Sequence, residues 1–150
     1  MPELVRKKFL IVALTCLFVA LVFAFIVPNL LRWRVAQGEH SVTGEIRAID
    51  EAVKAYSAEH GTVPPSLSSL KGHITPALAC DAPSCEFIGY RFQYTASAGS
   101  KPHYTITAQP VSPTTGIYSY YLDETGVLRR TKENRAATSS DPPVDDPAKK

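Results

Sequence analysis

The chain offers little that a catalyst needs. Its histidines, His40, His60, His73 and His103, are scattered, with no His-x-x-x-His pair, no serine elbow and no glycine-rich phosphate loop. Those absences remove the common metal, serine and nucleotide enzymes, and no enzyme is expected. Cysteine is scarce as well: Cys16, Cys80 and Cys85 stand with no third and fourth ligand at zinc-like spacing. The charge balance of +2 is ordinary, and no nucleic-acid partner is expected. From Phe9 to Leu31 charge is missing altogether.

That uncharged run of Leu, Val, Phe, Ala and Ile exceeds the roughly 20 residues that span hydrocarbon. A cleaved secretory signal also begins with basic residues, here Arg6, Lys7 and Lys8, but its apolar part is usually about 7–15 residues long and ends at small residues. This run is longer and ends at Pro28-Asn29-Leu30-Leu31-Arg32-Trp33-Arg34. The expectation is a basic cytoplasmic start over residues 1–8 and an uncleaved transmembrane helix over 9–31. Cys16 reads as a small apolar residue of that helix, since Ala13-Leu14-Thr15 lacks the small residue that lipoprotein processing wants beside the cysteine. The positive-inside rule favours a cytoplasmic N-terminus, although Arg32 and Arg34 follow the run closely. Cys80 and Cys85 bracket "CDAPSC". In an oxidising compartment the pair reads as a staple closing a small ring rather than as a metal site, with two free thiols as the other reading.

Beyond the run, over residues 32–131, the apolar pattern changes period. Val42, Ile46, Ile49, Val53 and Tyr56 recur at alternating spacings of four and three, the stripe of an amphipathic helix. Arg47 with Glu51, and Asp50 with Lys54, stand four apart and read as opposite charges on a solvated face. Gly61 suits a C-terminal cap, and Pro64-Pro65 forbid continuation. The spacing predicts one long helix from about Leu4 to His60, kinked near Pro28, followed by a short turn of helix that tucks Leu67 and Leu70 beneath it. Tyr90, Phe92 and Tyr94 then alternate with Arg91, Gln93 and Thr95, the period of a strand with one buried face. Tyr104, Ile106 and Ala108 repeat it, Ile117–Leu122 supplies a third strand, and Val127-Leu128 begins a short fourth after the turn "DETG". The expected fold class is α+β: a long N-terminal helix, half in the membrane and half amphipathic, packed on about three or four antiparallel strands in a meander. From Lys132 onward "KENRAATSSDPPVDDPAKK" has too little apolar surface to offset ordering, and residues 132–150 are expected to be disordered.

The stretch "FIVPNLLRWRVAQGEHSVTGEIRAIDEAVKAYSAEHGTVPPSLSSL", with Tyr56, Gly61, Pro64, Leu67 and Leu70, resembles type IV pilins and type II secretion pseudopilins. The later "GYRFQYTAS" and "YTITAQPVSPTTGIYSYYLDETGVLRR" are similar to the closing strands of pseudopilin-like proteins. The resemblance covers roughly Val27 to Arg130. The N-terminus diverges: the family is cut after a glycine and before a phenylalanine and carries a glutamate early in the mature helix. Here Lys8 precedes Phe9, and Ala13 stands at the glutamate's place. Starting instead at Lys7 puts Arg6 before the cut and Ile11 at that place. That glutamate pairs with a neighbouring subunit's amino terminus in apolar surroundings.

The resemblance implies a membrane-anchored structural or assembly protein of a pilus or secretion system, a minor or accessory component whose partners are the membrane, other pilin or pseudopilin subunits and the assembly platform. It places the chain in a bacterial inner membrane, single-pass, with the head periplasmic or extracellular. The alternative is a single-pass protein that uses a pilin-like head as a binding module outside any filament, which the missing glycine and glutamate favour. Pseudopilins bind calcium near their C-terminal strands, so the resemblance offers Asp123 and Glu124 as calcium ligands; by composition both simply suit a turn.

Overall fold

A computed structural model describes residues 2–97 and 103–144, with side chains undescribed at positions 2, 4, 5, 9 and 27–37. Helix α1 runs Pro2–His60, and the chain divides into two compact units, Met1–Arg34 and Val35–Lys150. In the first, the apolar side chains lie in the open: Phe18 is 68% and Phe25 73% exposed. Among the described residues of Arg6–Ile26 none is buried, and that stretch is long and apolar enough to cross a membrane. Its hydroxyl is satisfied within the helix, Thr15 Oγ1 donating to the Ile11 carbonyl at 2.7 Å. The side chain of Pro28, where a kink is expected, lies outside the described residues.

The second unit is α+β. The stripe Val42, Ile46, Ile49 and Val53 is wholly buried, each large side chain stabilising the fold by about 1.5–3 kcal/mol. Gly61, at φ 72°, takes the left-handed conformation that ends the helix, its N–H bonding the Ser57 carbonyl at 2.9 Å. A 3₁₀ turn over Leu67–Leu70 buries both leucines under the helix. The strands are β1 (Ser84–Phe87), β2 (Tyr90–Ser97), β3 (His103–Pro110), β4 (Ser119–Asp123) and β5 (Arg129–Thr131). They pair antiparallel in sequence order. Register lines up Phe92, Ala108 and Tyr120 in one row and Tyr94, Ile106 and Leu122 in the next, so a small residue between two rings leaves room for the helix stripe.

Three expectations are corrected. The sheet has five strands rather than three or four: an additional strand, β1, precedes the expected ones and pairs Cys85 with Phe92 and Phe87 with Tyr90. Its hairpin turn is Ile88-Gly89, both at positive φ (46° and 78°), a role usually given to Asn-Gly. The final strand forms at Arg129–Thr131, just past Val127-Leu128. Finally, the expected disorder from Lys132 does not hold for residues 132–144. The Arg135 guanidinium grips the Asp141 carboxylate with both terminal nitrogens, at 2.8 and 2.6 Å, and Ala137 is buried. The Arg130 N–H donates to the Pro142 carbonyl and the Val144 N–H to that of Leu128, so the chain returns along β5 and covers the sheet's edge. Residues 145–150 lie outside the described residues.

Candidate functional site

Among the described residues, the most extensive exposed apolar surface is that of the first part of α1. Leucine, valine, phenylalanine and alanine hold helix without strain, and all backbone groups inside such a helix are satisfied within it, the condition for entering lipid. Leu10, Leu14, Leu17, Phe18, Leu21 and Phe25 each leave about half or more of their surface open. Water penalises that exposure and hydrocarbon rewards it. Cys16 is a free, exposed thiol on this segment.

In the head, Cys80 and Cys85 are joined by a disulfide with Cα atoms 6.3 Å apart. Cys85 belongs to the core, so the bond ties the Asp81–Pro83 loop to β1. Beside it a cleft of about 260 Å³ is lined by Pro65, Leu67, Ala82, Pro83, Phe92 and Tyr94 among others. The Tyr94 hydroxyl donates to the Pro64 carbonyl at 2.9 Å, and burial pushes this phenol up to about 12.

Asp50 departs from expectation. Instead of sharing a solvated face with the exposed Glu51, it is buried. Lys54 does reach it, at 2.7 Å, but its other oxygen accepts the Tyr104 hydroxyl at 2.5 Å. The cause is its place four residues after Ile46, which sets it on the buried stripe. Burial first, and then the bond to Asp50, raises the Tyr104 phenol far above its ordinary range, and the Tyr104–Asp50 bond clasps sheet to helix. Tyr104 went unnoticed in the sequence as anything but a strand residue, and its inward position in the alternating pattern was the available signal.

Asp123 closes β4. One of its oxygens accepts the Thr125 N–H at 3.0 Å and the Thr125 hydroxyl at 2.5 Å, and the other accepts the Tyr121 hydroxyl at 3.2 Å. Partial burial pushes this carboxyl up, but the Thr125 and Tyr121 bonds together bring it below the ordinary value. Glu124 has a different partner, its carboxylate lying 2.6 Å from His103 Nδ1. Both acids thus have local partners in a turn whose Gly126 N–H bonds the Asp123 carbonyl. Among the described residues no group of three or more His, Cys, Asp or Glu is placed to hold a metal ion.

At the opposite end of the sheet, a cleft of about 470 Å³ lies between the β3–β4 connection and the Lys132–Asn134 segment. Tyr90 stands close by, wholly buried, with its hydroxyl unpartnered among the described residues. Burial, reinforced by the nearby Glu39 carboxylate, pushes this phenol above its ordinary range. Its ring fills the space that a side chain on Gly116 would need. Glu39 accepts the Ile117 N–H at 2.9 Å and so ties this connection to α1. Protein-family models, curated proteins and solved structures give no match to the chain.

Proposed function

We infer that the chain is a membrane-anchored, pilin- or pseudopilin-like structural or assembly protein, a minor or accessory component of a type IV pilus or type II secretion system. The observation that carries this reading is the division of labour along α1. Its first part leaves a membrane-length apolar surface uncovered, while the stripe Val42–Val53 joins the core of an antiparallel meander. A helix used in this way is at once an anchor and a scaffold for the head. The reading places the protein in a bacterial inner membrane with its N-terminus cytoplasmic and its head periplasmic or extracellular, where the Cys80–Cys85 bond is compatible with the redox setting. Its partners are other pilin or pseudopilin subunits and the assembly platform. The chemistry needs no catalytic group and no resident cofactor.

A second reading is favoured by Lys8 and Ala13 at the positions where the family has its cleavage glycine and its glutamate. On it the head is a binding module on a permanent single-pass anchor and never enters a filament. Mass spectrometry of the N-terminus, in washed membranes and in sheared filaments from native cells, separates the two. A chain beginning near Phe9 with a methylated amine, recovered with filaments, is the outcome expected of the first. A chain beginning at Met1 or Pro2 and confined to membranes replaces it with the second. Recovery from the soluble fraction alone removes both.

A further inference from the structure

The sheet of the head, in the order β1-β2-β3-β4-β5, ends in β1 on one side and β5 on the other. The β5 edge is covered by the returning chain, which bonds it through the Arg130 N–H and the Leu128 carbonyl. The β1 edge has no such cover among the described residues. β1 joins β2 through the two-residue turn Ile88-Gly89, so the flanking Phe87 and Tyr90 exchange hydrogen bonds, and by alternation Cys85 and Phe92 do the same. The N–H and C=O of Ser84 and Glu86 therefore point away from β2, and none of them meets a backbone partner among the described residues. Open edges are usually blunted by proline, a bulge or a charge set across them. β1 reads Ser-Cys-Glu-Phe, without proline, and its one charge, Glu86, is engaged at 2.9 Å by Arg91, its cross-strand neighbour on β2.

The cleft of about 260 Å³ adjoins this edge, since Ser84 and Cys85 of β1 line it together with Pro65, Leu67, Phe92 and Tyr94. Of all its lining residues only Asp81 is charged. Asp81 is exposed, and its carboxylate has no hydrogen-bond or ion-pair partner among the described residues. The Cys80–Cys85 bond and Pro83 restrain the loop that carries it, so little ordering is left for a ligand to impose. Aromatic and prolyl walls with a single carboxylate suit a side chain that has an apolar stem and a cationic tip, which lays its stem on the rings and its charge beside the acid. An acidic side chain would be repelled there.

We propose that the β1 edge receives an extended segment of a partner protein as a sixth strand of the sheet, bonded to the outward N–H and C=O groups of Ser84 and Glu86, with a Lys or Arg side chain of that segment seated in the cleft against Asp81. Main-chain pairing supplies affinity with little regard to sequence, and the cleft selects a basic residue at one position of the segment. Every group involved belongs to Val35–Lys150, so the site stands apart from the membrane reading and is tested separately from it.

The test uses the full chain in detergent with the Cys80–Cys85 bond intact. Immobilised, it is offered a displayed library of randomised short peptides already depleted on empty micelles, and the enriched peptides are synthesised with a fluorophore for anisotropy titration. The expected result is enrichment of peptides that share a Lys or Arg at one position. Replacing that residue with norleucine, or Asp81→Asn in the protein, should weaken binding at least about five-fold. Methylating alternate backbone nitrogens of the peptide should abolish binding in one phase of the alternation and spare it in the other. The Ser84 and Glu86 amide signals should shift on saturation. Ser84→Pro, at the first position of the strand and with its N–H turned from β2, should weaken binding while the near-ultraviolet tyrosine signal stays that of the parent chain. A library that yields no enriched peptide overturns the docking. Enriched peptides without a basic residue, or binding indifferent to Asp81→Asn, overturn the basic occupant. Binding that survives methylation in both phases and leaves Ser84 and Glu86 unmoved overturns the added strand. Shifts of the same two amides with protein concentration alone assign the edge to a second copy, and likewise overturn the proposal.

Discussion

Tyr90 and Gly116 form a contact in which one residue has something to spare and the other nothing. The Tyr90 hydroxyl is buried without a partner among the described residues, a desolvation that costs about 1–3 kcal/mol, and its ring occupies the volume beside the Gly116 Cα. Tyr90→Phe keeps the ring and removes the unpaired group, so it should leave stability unchanged or raise it by about 1 kcal/mol. Gly116→Ala should lower stability by about 1–3 kcal/mol, because the added methyl must displace a ring already wedged in the core. Thermal unfolding of the full chain in detergent reads both, and a destabilised Tyr90→Phe would mean the hydroxyl does have a bond. The sequence presented Tyr90 correctly as an inward strand residue, from alternation alone. It presented Asp50 less fully: the bond to Lys54, four residues away, was legible, whereas the bond to Tyr104, 54 residues away, exists only once strand and helix are face to face. Local spacing carries local bonds, and long-range bonds between polar groups leave no such trace.

Among the elements, those with a strong period were legible and those held by particular bonds were not. The Val42–Val53 stripe and the alternation of β2 and β3 announce helix and sheet because burial of one face dictates the spacing. Strand β1 is short, and Ile88-Gly89 lacks the turn chemistry that normally advertises a hairpin. The segment from Lys132 is poor in apolar residues, so its composition points to disorder; what orders residues 132–144 is the fork of Arg135 on Asp141, with Thr138 donating its N–H to the same carboxylate at 2.7 Å. Those bonds, led by Arg135, hold the Asp141 carboxyl far below the usual range. A carboxyl whose value is depressed by folding contributes stability that is fully present above the unfolded value of about 3.9 and is lost as pH falls through the folded value. Asp141→Asn should therefore melt below the parent chain at pH 7, with the gap closing as pH is lowered under about 4. Amide signals of Arg130 and Val144, which bond the returning segment, should shift over the same window. A gap independent of pH would assign the segment's order to packing of Ala137 instead of to charge.

At the scale of the molecule, the two units meet opposite solvent requirements along one helix. Among the described residues, none of Met1–Arg34 belongs to the core of Val35–Lys150, so changes to the apolar surface should alter where the protein resides without altering how the head folds. Leu14 and Phe18 stand four apart on that surface, 57% and 68% exposed, and neither contributes to the core. Replacing both with Asp places two carboxylates where hydrocarbon is expected, at about 2.5–3.5 kcal/mol each near the centre of a spanning helix. The double variant should move from the membrane fraction to the soluble fraction or to aggregates. Its disulfide should remain intact by non-reducing mass spectrometry, and its near-ultraviolet tyrosine signal should match that of the parent chain. Replacing Val42 and Ile49 with Asp should do the reverse, abolishing the tyrosine signal while leaving membrane association in place, because those side chains are wholly buried against the sheet and an unpaired buried charge is far more costly than an exposed one. If the Leu14 and Phe18 changes instead unfold the head, the apolar segment is part of the folded body rather than an anchor, and the membrane reading falls with it.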